Sequence, residues 1–263
     1  MSSGGTQSIW AYCTSRTHGA TVSRVITYLP PLEDDPDWGP RMKFRLTYQG
    51  ELKASGRDPE TGQRDRMAEH KQSIRKVFHR QLKELWKTNR FLSSHKTYPK
   101  PKPLSPADQA QQAGIWGGGP DVRLPLAEAV AENYRENGYR FVPLVREEDS
   151  LLCSLNILFL RRDFHGGVIS AGDLDNRIKT LIDTLRRPRS GNELRGNENP
   201  TADEDPFFCL LEDDDLVTAL TVETDNLLDP LNESGKPGNS DVRLVITVEL
   251  KPYDVTMFNL SFS

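Results

Sequence analysis

Two short acidic blocks carry the residues best suited to chemistry. The first is Gly172-Asp173-Leu174-Asp175-Asn176-Arg177-Ile178-Lys179, and the second is Glu212-Asp213-Asp214-Asp215. Leu174, Ile178, Leu181, Ile182 and Leu185 recur at the spacing of one apolar helical face. Asp173 and Asp175 therefore fall on the first turn of a helix, where its dipole favours carboxylates. Lys179 follows Asp175 by one turn and shares its side. The second block opens an apolar run, Leu216 to Val222, so its carboxylates stand at a strand entry. If the two blocks meet, three or four carboxylates converge on one volume, a donor set for a hard cation such as Mg²⁺. Bland readings exist for each part. Asp173 is a preferred residue type for a helix N-cap, and Asp213 to Asp215 could be a solvated turn. Neither explains why Asp175 and Lys179 stand beside Asp173, or why three aspartates enter an apolar strand. An EF-hand is excluded, because Arg177 sits where an oxygen ligand belongs and the required glycine is missing.

The elements that must position these blocks are legible from periodicity. Met42 to Leu52 alternates apolar and polar side chains and predicts a strand. Arg66 to Asn89 predicts a long helix, with Ile74, Val77, Phe78, Leu82, Leu85 and Trp86 as its apolar stripe and Arg75, Lys76, Arg80, Lys83 and Lys87 around the rest. That cationic set is either a solvated face or a phosphate contact. His70 and His79 lack ligand spacing and are expected at the surface. Residues 93–121, rich in proline and glycine, form a loop or linker, and Gly117-Gly118-Gly119 is no phosphate loop because no Gly-Lys-Ser/Thr follows. Pro125 at a first helical position and Gly138 at a C-terminal cap bracket a short helix. Strands are expected from Phe141, across Leu151 to Leu160, over 216–223, and from Asp241 to Lys251; 207–211 is an apolar run leading to the second acidic block. A further strand is conceivable at Val22 to Leu29. Strands on both sides of the Asp-rich helix give an α+β fold, a mixed sheet with helices packed on one face.

The pattern D-L-D-N-x-x-K at a helix start, followed by an acidic doublet and a strand, resembles the RusA family of Holliday junction resolvases. The likeness covers a core at 142–252, interrupted by an insertion at 188–206 that reads as disordered. The resemblance implies a Mg²⁺-dependent endonuclease acting as a homodimer on branched DNA. By position, its metal ligands match Asp173, Asp175 and Asp214, its catalytic lysine matches Lys179, and Asp213 takes a neighbouring acidic role. Domain organisation follows: residues 1–41 are an N-terminal extension that could engage a larger assembly, and 42–263 hold the nuclease-like domain. The reading from another class is a non-catalytic nucleic-acid-binding or scaffold protein that keeps the fold.

Charge is distributed in a way that bears on this choice. The net formal charge is −4, yet residues 64–102 carry twelve Lys and Arg against three acids, and residues 197–225 carry ten acids and neither Lys nor Arg. A basic footprint beside an acidic metal site suits an enzyme that cuts nucleic acid; two compensating solvated faces are the plainer account. Cys13, Cys153 and Cys209 are too few and too dispersed for a disulfide framework or a zinc site. With no membrane-length apolar run and no signal pattern, a cytoplasmic protein is expected.

Overall fold

In a computed structural model the described residues are 42–54, 67–97, 123–161, 172–228 and 241–256, with Asn259 and Phe262. The possible strand at Val22 to Leu29, the extension 1–41 and most of the 93–121 linker lie outside them. In chain order the elements are β1 (Lys43–Glu51), α1 (Ala68–Thr88), α2 (Arg90–Ser94), β2 (Lys96–Thr97), β3 (Leu124–Pro125), α3 (Leu126–Asn133), β4 (Arg135–Glu136), β5 (Tyr139–Val145), β6 (Leu151–Arg161), α4 (Gly172–Leu185), β7 (Phe207–Leu211), β8 (Val217–Asn226) and β9 (Asp241–Pro252).

The main sheet has the order β1-β9-β6-β8. β9 runs antiparallel to both β1 and β6, while β6 and β8 are parallel. Registers align the apolar alternation of all four strands: Leu46, Ile246, Ile157 and Val222 form one row, and Phe44, Val248, Leu155 and Leu220 the next but one. On β6 and β9 this face is fully buried, while intervening residues stay partly exposed. A period of two with one covered face is what an α+β sheet requires. The fold class matches the expectation. A second sheet has the order β4-β5-β7, with β5 and β7 parallel. Its residues join the same core: Val142, Leu144, Phe208 and Leu210 pack with Ile74, Phe78, Leu82 and Trp86 of α1.

Helix α1 lies against both sheets. Its Gln81 accepts the Thr47 N–H at 2.9 Å and donates to the Thr47 carbonyl at 2.7 Å, so one side chain satisfies a backbone pair at the outer edge of β1. The short helix α3 forms as expected, but its end does not fall at Gly138. Tyr134 caps it, and Asn137 (φ 49°) with Gly138 (φ 82°) makes the two-residue turn between β4 and β5. Asn-Gly with both residues at positive φ is the favoured hairpin connection, and it outcompetes a helix cap here.

Two further expectations are corrected. The insertion 188–206 is not disordered: it contains 3-10 turns at Gly191–Leu194 and Ala202–Glu204, the latter closed by a reciprocal Thr201–Glu204 capping box. Leu194 is buried with Tyr139, Phe141, Phe207 and Cys209. The remainder is held by charge. Arg75 of α1 donates to Glu193 at 2.9 Å and to the Asp183 carbonyl at 2.9 Å; Lys76 pairs with Glu204 at 2.9 Å, Lys83 with Asp203 at 2.7 Å, and Lys71 with Asp183 at 2.7 Å. Three of the five basic residues on α1, Arg75, Lys76 and Lys83, thus clamp this segment, while Arg80 and Lys87 stay exposed. His79 is not at the surface but 1 % exposed, stacked on Phe207.

No helix among the described residues is long and apolar enough to cross a membrane. Cys153 and Cys209 are free and buried, and burial pushes both thiols up to about 12.

Candidate metal centre

The acidic block Asp213-Asp214-Asp215 sits just past the C-terminal end of β7. Two backbone hydrogen bonds and a β-bridge pin that end. Glu212 N–H donates to the Val145 carbonyl at 2.9 Å, extending the parallel β5–β7 pairing by one residue. Arg187 N–H donates to the Leu211 carbonyl at 3.0 Å, and Arg186 bridges to Leu211, so the chain leaving α4 runs beside β7. The Asp213 side chain then accepts the Asp214 N–H at 2.7 Å and caps a 3-10 turn, Asp214–Leu216, whose Leu216 is buried. This tight turn makes the three carboxylates converge: each offers an oxygen, and all three lie within 4.8 Å of one another. It is the single such group of three or more potential ligands among the described residues.

A cation already touches the cluster. Arg189 Nε donates to Asp213 Oδ2 at 3.1 Å, and its Nη2 contacts Oδ1 of both Asp213 and Asp214. Burial alone would raise the Asp213 carboxyl, but hydrogen bonds from Asp214 and Arg189 hold it well below the usual range. Asp214 moves the opposite way, pushed up first by the hydrogen bond it shares with Asp213 and then by burial.

Beside the cluster opens a groove of about 600 Å³, walled by Arg187, Leu152, Leu216 and Tyr253 as well as Glu147, Glu212, Asp213 and Asp215. Its floor is rigid. Glu212 accepts the Tyr134 hydroxyl at 3.0 Å and the Glu147 N–H at 3.2 Å, while the Arg187 guanidinium lies 5.4 Å from the centre of the Tyr134 ring and pairs with Glu136 at 3.3 Å. Burial, then the carboxylates of Glu148 and Glu212, push the Tyr134 hydroxyl up.

The other acidic block stands elsewhere. Asp175 is exposed on the first turns of α4, and Lys179 is exposed one turn later. Asp173 belongs to the first turn by its backbone; its side chain lies outside the described residues. No ion pair joins Asp175 to Lys179 or either of them to another described residue. Asp175 is not part of the carboxylate cluster. The geometry explains why. The C-terminal end of α4 is the end beside Leu211, and Asp175 lies eleven residues earlier, about 16 Å along the axis at 1.5 Å per residue. Within one chain the structure does not bring Asp175 to Asp214, contrary to the sequence expectation. A helix following β6 returns the chain to the start of the parallel strand β8, which places its first turn towards the far end of the sheet.

Sequence reasoning also missed Arg189. It lies in the stretch read as disordered, and the only hint was its place in Arg186-Arg187-Pro188-Arg189, immediately after the Asp-rich helix. Glu212 was seen as part of the acidic block, but not as the anchor between Tyr134 and Glu147.

No protein-family profile, curated protein or solved structure matches this chain.

Proposed function

We propose that this chain is a Mg²⁺-dependent endonuclease that cuts branched DNA by phosphodiester hydrolysis, acting as a homodimer. The observation that carries the reading is the convergence of Asp213, Asp214 and Asp215 at a sheet end beside an open groove. An all-carboxylate donor set at a half-exposed turn fits a hard cation that keeps several waters, which is the coordination habit of Mg²⁺. When bound there, Mg²⁺ supplies an activated water and charge stabilisation at the leaving oxygen. The chain's own residues have distinct tasks. Asp213 and Asp214 hold the cation, Arg187 faces the groove as a fixed positive charge for the scissile phosphate, and Lys179 neutralises charge developing on it.

The separation of the two acidic blocks supports the dimer. Strand β8 is the outer strand of the main sheet among the described residues, with Leu220 42 % exposed. An unpaired edge of this length is a template for a second chain. Antiparallel pairing of two β8 strands about a two-fold axis sets the start of β8 in one copy beside the end of β8 in the other. Asp213 to Asp215 of one copy then approach the Asp173, Asp175 and Lys179 end of α4 in the other. In this arrangement the full carboxylate set exists only in the dimer.

The test is cleavage of four-way, flap and linear DNA with Mg²⁺ and with EDTA. Mg²⁺-dependent nicking of branched substrates in preference to linear duplex is expected; no cleavage of any substrate sinks the reading.

One observation favours the non-catalytic alternative. Arg189 already pairs with Asp213 and Asp214, and Arg75, Lys76 and Lys83 of α1 are taken up in internal ion pairs. A scaffold would use these pairs only for stability, and its thermal midpoint would not respond to Mg²⁺.

A further inference from the structure

A second recess shares the 146–150 turn with the acidic groove: Glu147 lines the groove, while Arg146, Glu148 and Asp149 line the recess. It has a volume of about 310 Å³ and sits between α2, α3 and that turn. Part of its wall is apolar and aromatic: Phe91, Leu126, Ala129 and Val130, with Phe262 set edge-on to Phe91 at 5.3 Å between ring centroids; His95, Thr97 and Asn133 also line it. Among its polar lining residues Arg146 alone is buried. Arg146 lines the recess with its side chain only 7 % exposed. Its Nη1 donates to Glu148 at 2.9 Å and its Nη2 contacts Asp149. Its Nε–H is buried and has no acceptor.

Native proteins rarely leave a buried N–H without an acceptor, because its lost hydration is not replaced. What would satisfy it is constrained by the neighbours. An anion is opposed by Glu148 and Asp149, which flank the guanidinium. A cation is opposed by the guanidinium itself and would leave Nε unsatisfied. A neutral acceptor remains, a carbonyl oxygen or a ring nitrogen. The recess around it combines two flat rings, Leu126 and Val130 with the polar side chains of His95, Thr97 and Asn133, and its volume is at the small end of ligand sites.

We infer that this recess binds a neutral planar heteroaromatic of nucleobase size, whose carbonyl or ring nitrogen accepts the Arg146 Nε–H while its faces pack against Phe91 and Phe262. The inference does not depend on the metal centre, since no residue of the recess belongs to the acidic cluster. The base could arrive as a free nucleoside or as an unpaired base of a nucleic acid; the chemistry recognised is the same.

The full chain is titrated with guanosine, adenosine, cytidine and thymidine, with a short single-stranded oligonucleotide, and with benzene as an apolar control. Binding is followed by equilibrium dialysis and by the arginine Nε–H resonances in a ¹H–¹⁵N spectrum. At least one nucleoside or the oligonucleotide is expected to bind saturably, to move the Arg146 Nε–H signal, and to outcompete benzene. Ala129→Met fills the recess from α3 and should weaken that binding at least tenfold, with an unchanged circular dichroism spectrum. Binding of nucleosides assigns a free ligand, and binding of the oligonucleotide alone assigns an unpaired base. If no base or oligonucleotide binds, if the Arg146 signal stays still on binding, or if a folded Ala129→Met binds as tightly as the unsubstituted chain, the inference is overturned.

Discussion

Arg189 and Asp213 form a two-point contact: Nε donates to Oδ2 at 3.1 Å while Nη2 meets Oδ1, and the same Nη2 reaches Asp214. One guanidinium therefore already engages two of the three carboxylates that a divalent cation would need. Both partners are well exposed, so the pair adds little to stability, below about 1 kcal/mol. Arg189→Ala should leave the urea midpoint nearly unchanged and tighten Mg²⁺ or Mn²⁺ binding several-fold, because a competing cation is removed. Isothermal titration of metal into both proteins checks this. Weaker binding in the variant would mean that Arg189 organises the carboxylates rather than competes for them.

The distance between Asp175 and the Asp213 to Asp215 turn gives a mixing experiment. Asp175→Asn and Asp214→Asn should each abolish cleavage alone, since each removes a ligand from every site. If the site is shared between copies, mixing and refolding the two inactive proteins rebuilds one intact site in each mixed dimer. Up to about half of the activity per mixed dimer should return, by simple counting of the two sites. Should both single variants be inactive and the mixture remain so, each copy works alone and the role of β8 is wrong. Should the unsubstituted chain cut nothing, the nuclease reading fails instead, so the two failures are distinguishable.

How far the sequence foretold this follows from the range of the interactions. Periodicity located β1, α1, β6, α4 and β9 because each buries one face of a regular element, and that face is written at fixed local spacing. The segment 188–206 has no such period. Its order comes from Arg75, Lys76 and Lys83, more than a hundred residues away, and from a single apolar anchor, Leu194. The sequence displayed the opposite charges of these regions but not their pairing. The same limit applied to the site. The turn at Asp213 to Asp215 is local and was visible, whereas the position of Asp175 depended on which way α4 ran relative to β7.

Arg75 is the strongest point of that clamp. It is 2 % exposed, and its guanidinium serves Glu193 and the Asp183 carbonyl together. Arg75→Met keeps most of the volume and removes the donors. Glu193 keeps Arg186 at 3.3 Å, so the loss falls near the low end for a broken buried pair, about 3 kcal/mol. Proteolysis should then cut within 188–206 well below the global midpoint. Unchanged protease resistance would show that Leu194 and the Thr201–Glu204 capping box suffice to hold the segment.

His79 offers a pH test of the same contact between α1 and β7. Its Nδ1 accepts the Phe208 N–H at 2.9 Å, which leaves the proton on Nε2, directed at the Asp203 carbonyl 3.2 Å away. The ring is stacked on Phe207 with centroids 4.5 Å apart. Burial lowers its pKa below 6.5, against a smaller upward pull from the Asp203 carbonyl. Protonation would cost both solvation and the Phe208 bond, because a charged imidazole has no acceptor nitrogen. The sign follows from linkage: below 6.5 the unfolded chain takes up a proton that the folded chain resists, so the unfolded state binds more protons. The contribution of His79 is fully present above pH 6.5 and is lost as pH falls through its lowered folded value. Urea midpoints measured from pH 7.5 to 5 should therefore decline in the unsubstituted chain. His79→Gln, which cannot titrate, should be less stable at pH 7.5 yet show a shallower decline. Parallel pH profiles for the two proteins would assign the acid sensitivity to other groups and leave His79 as a packing residue alone.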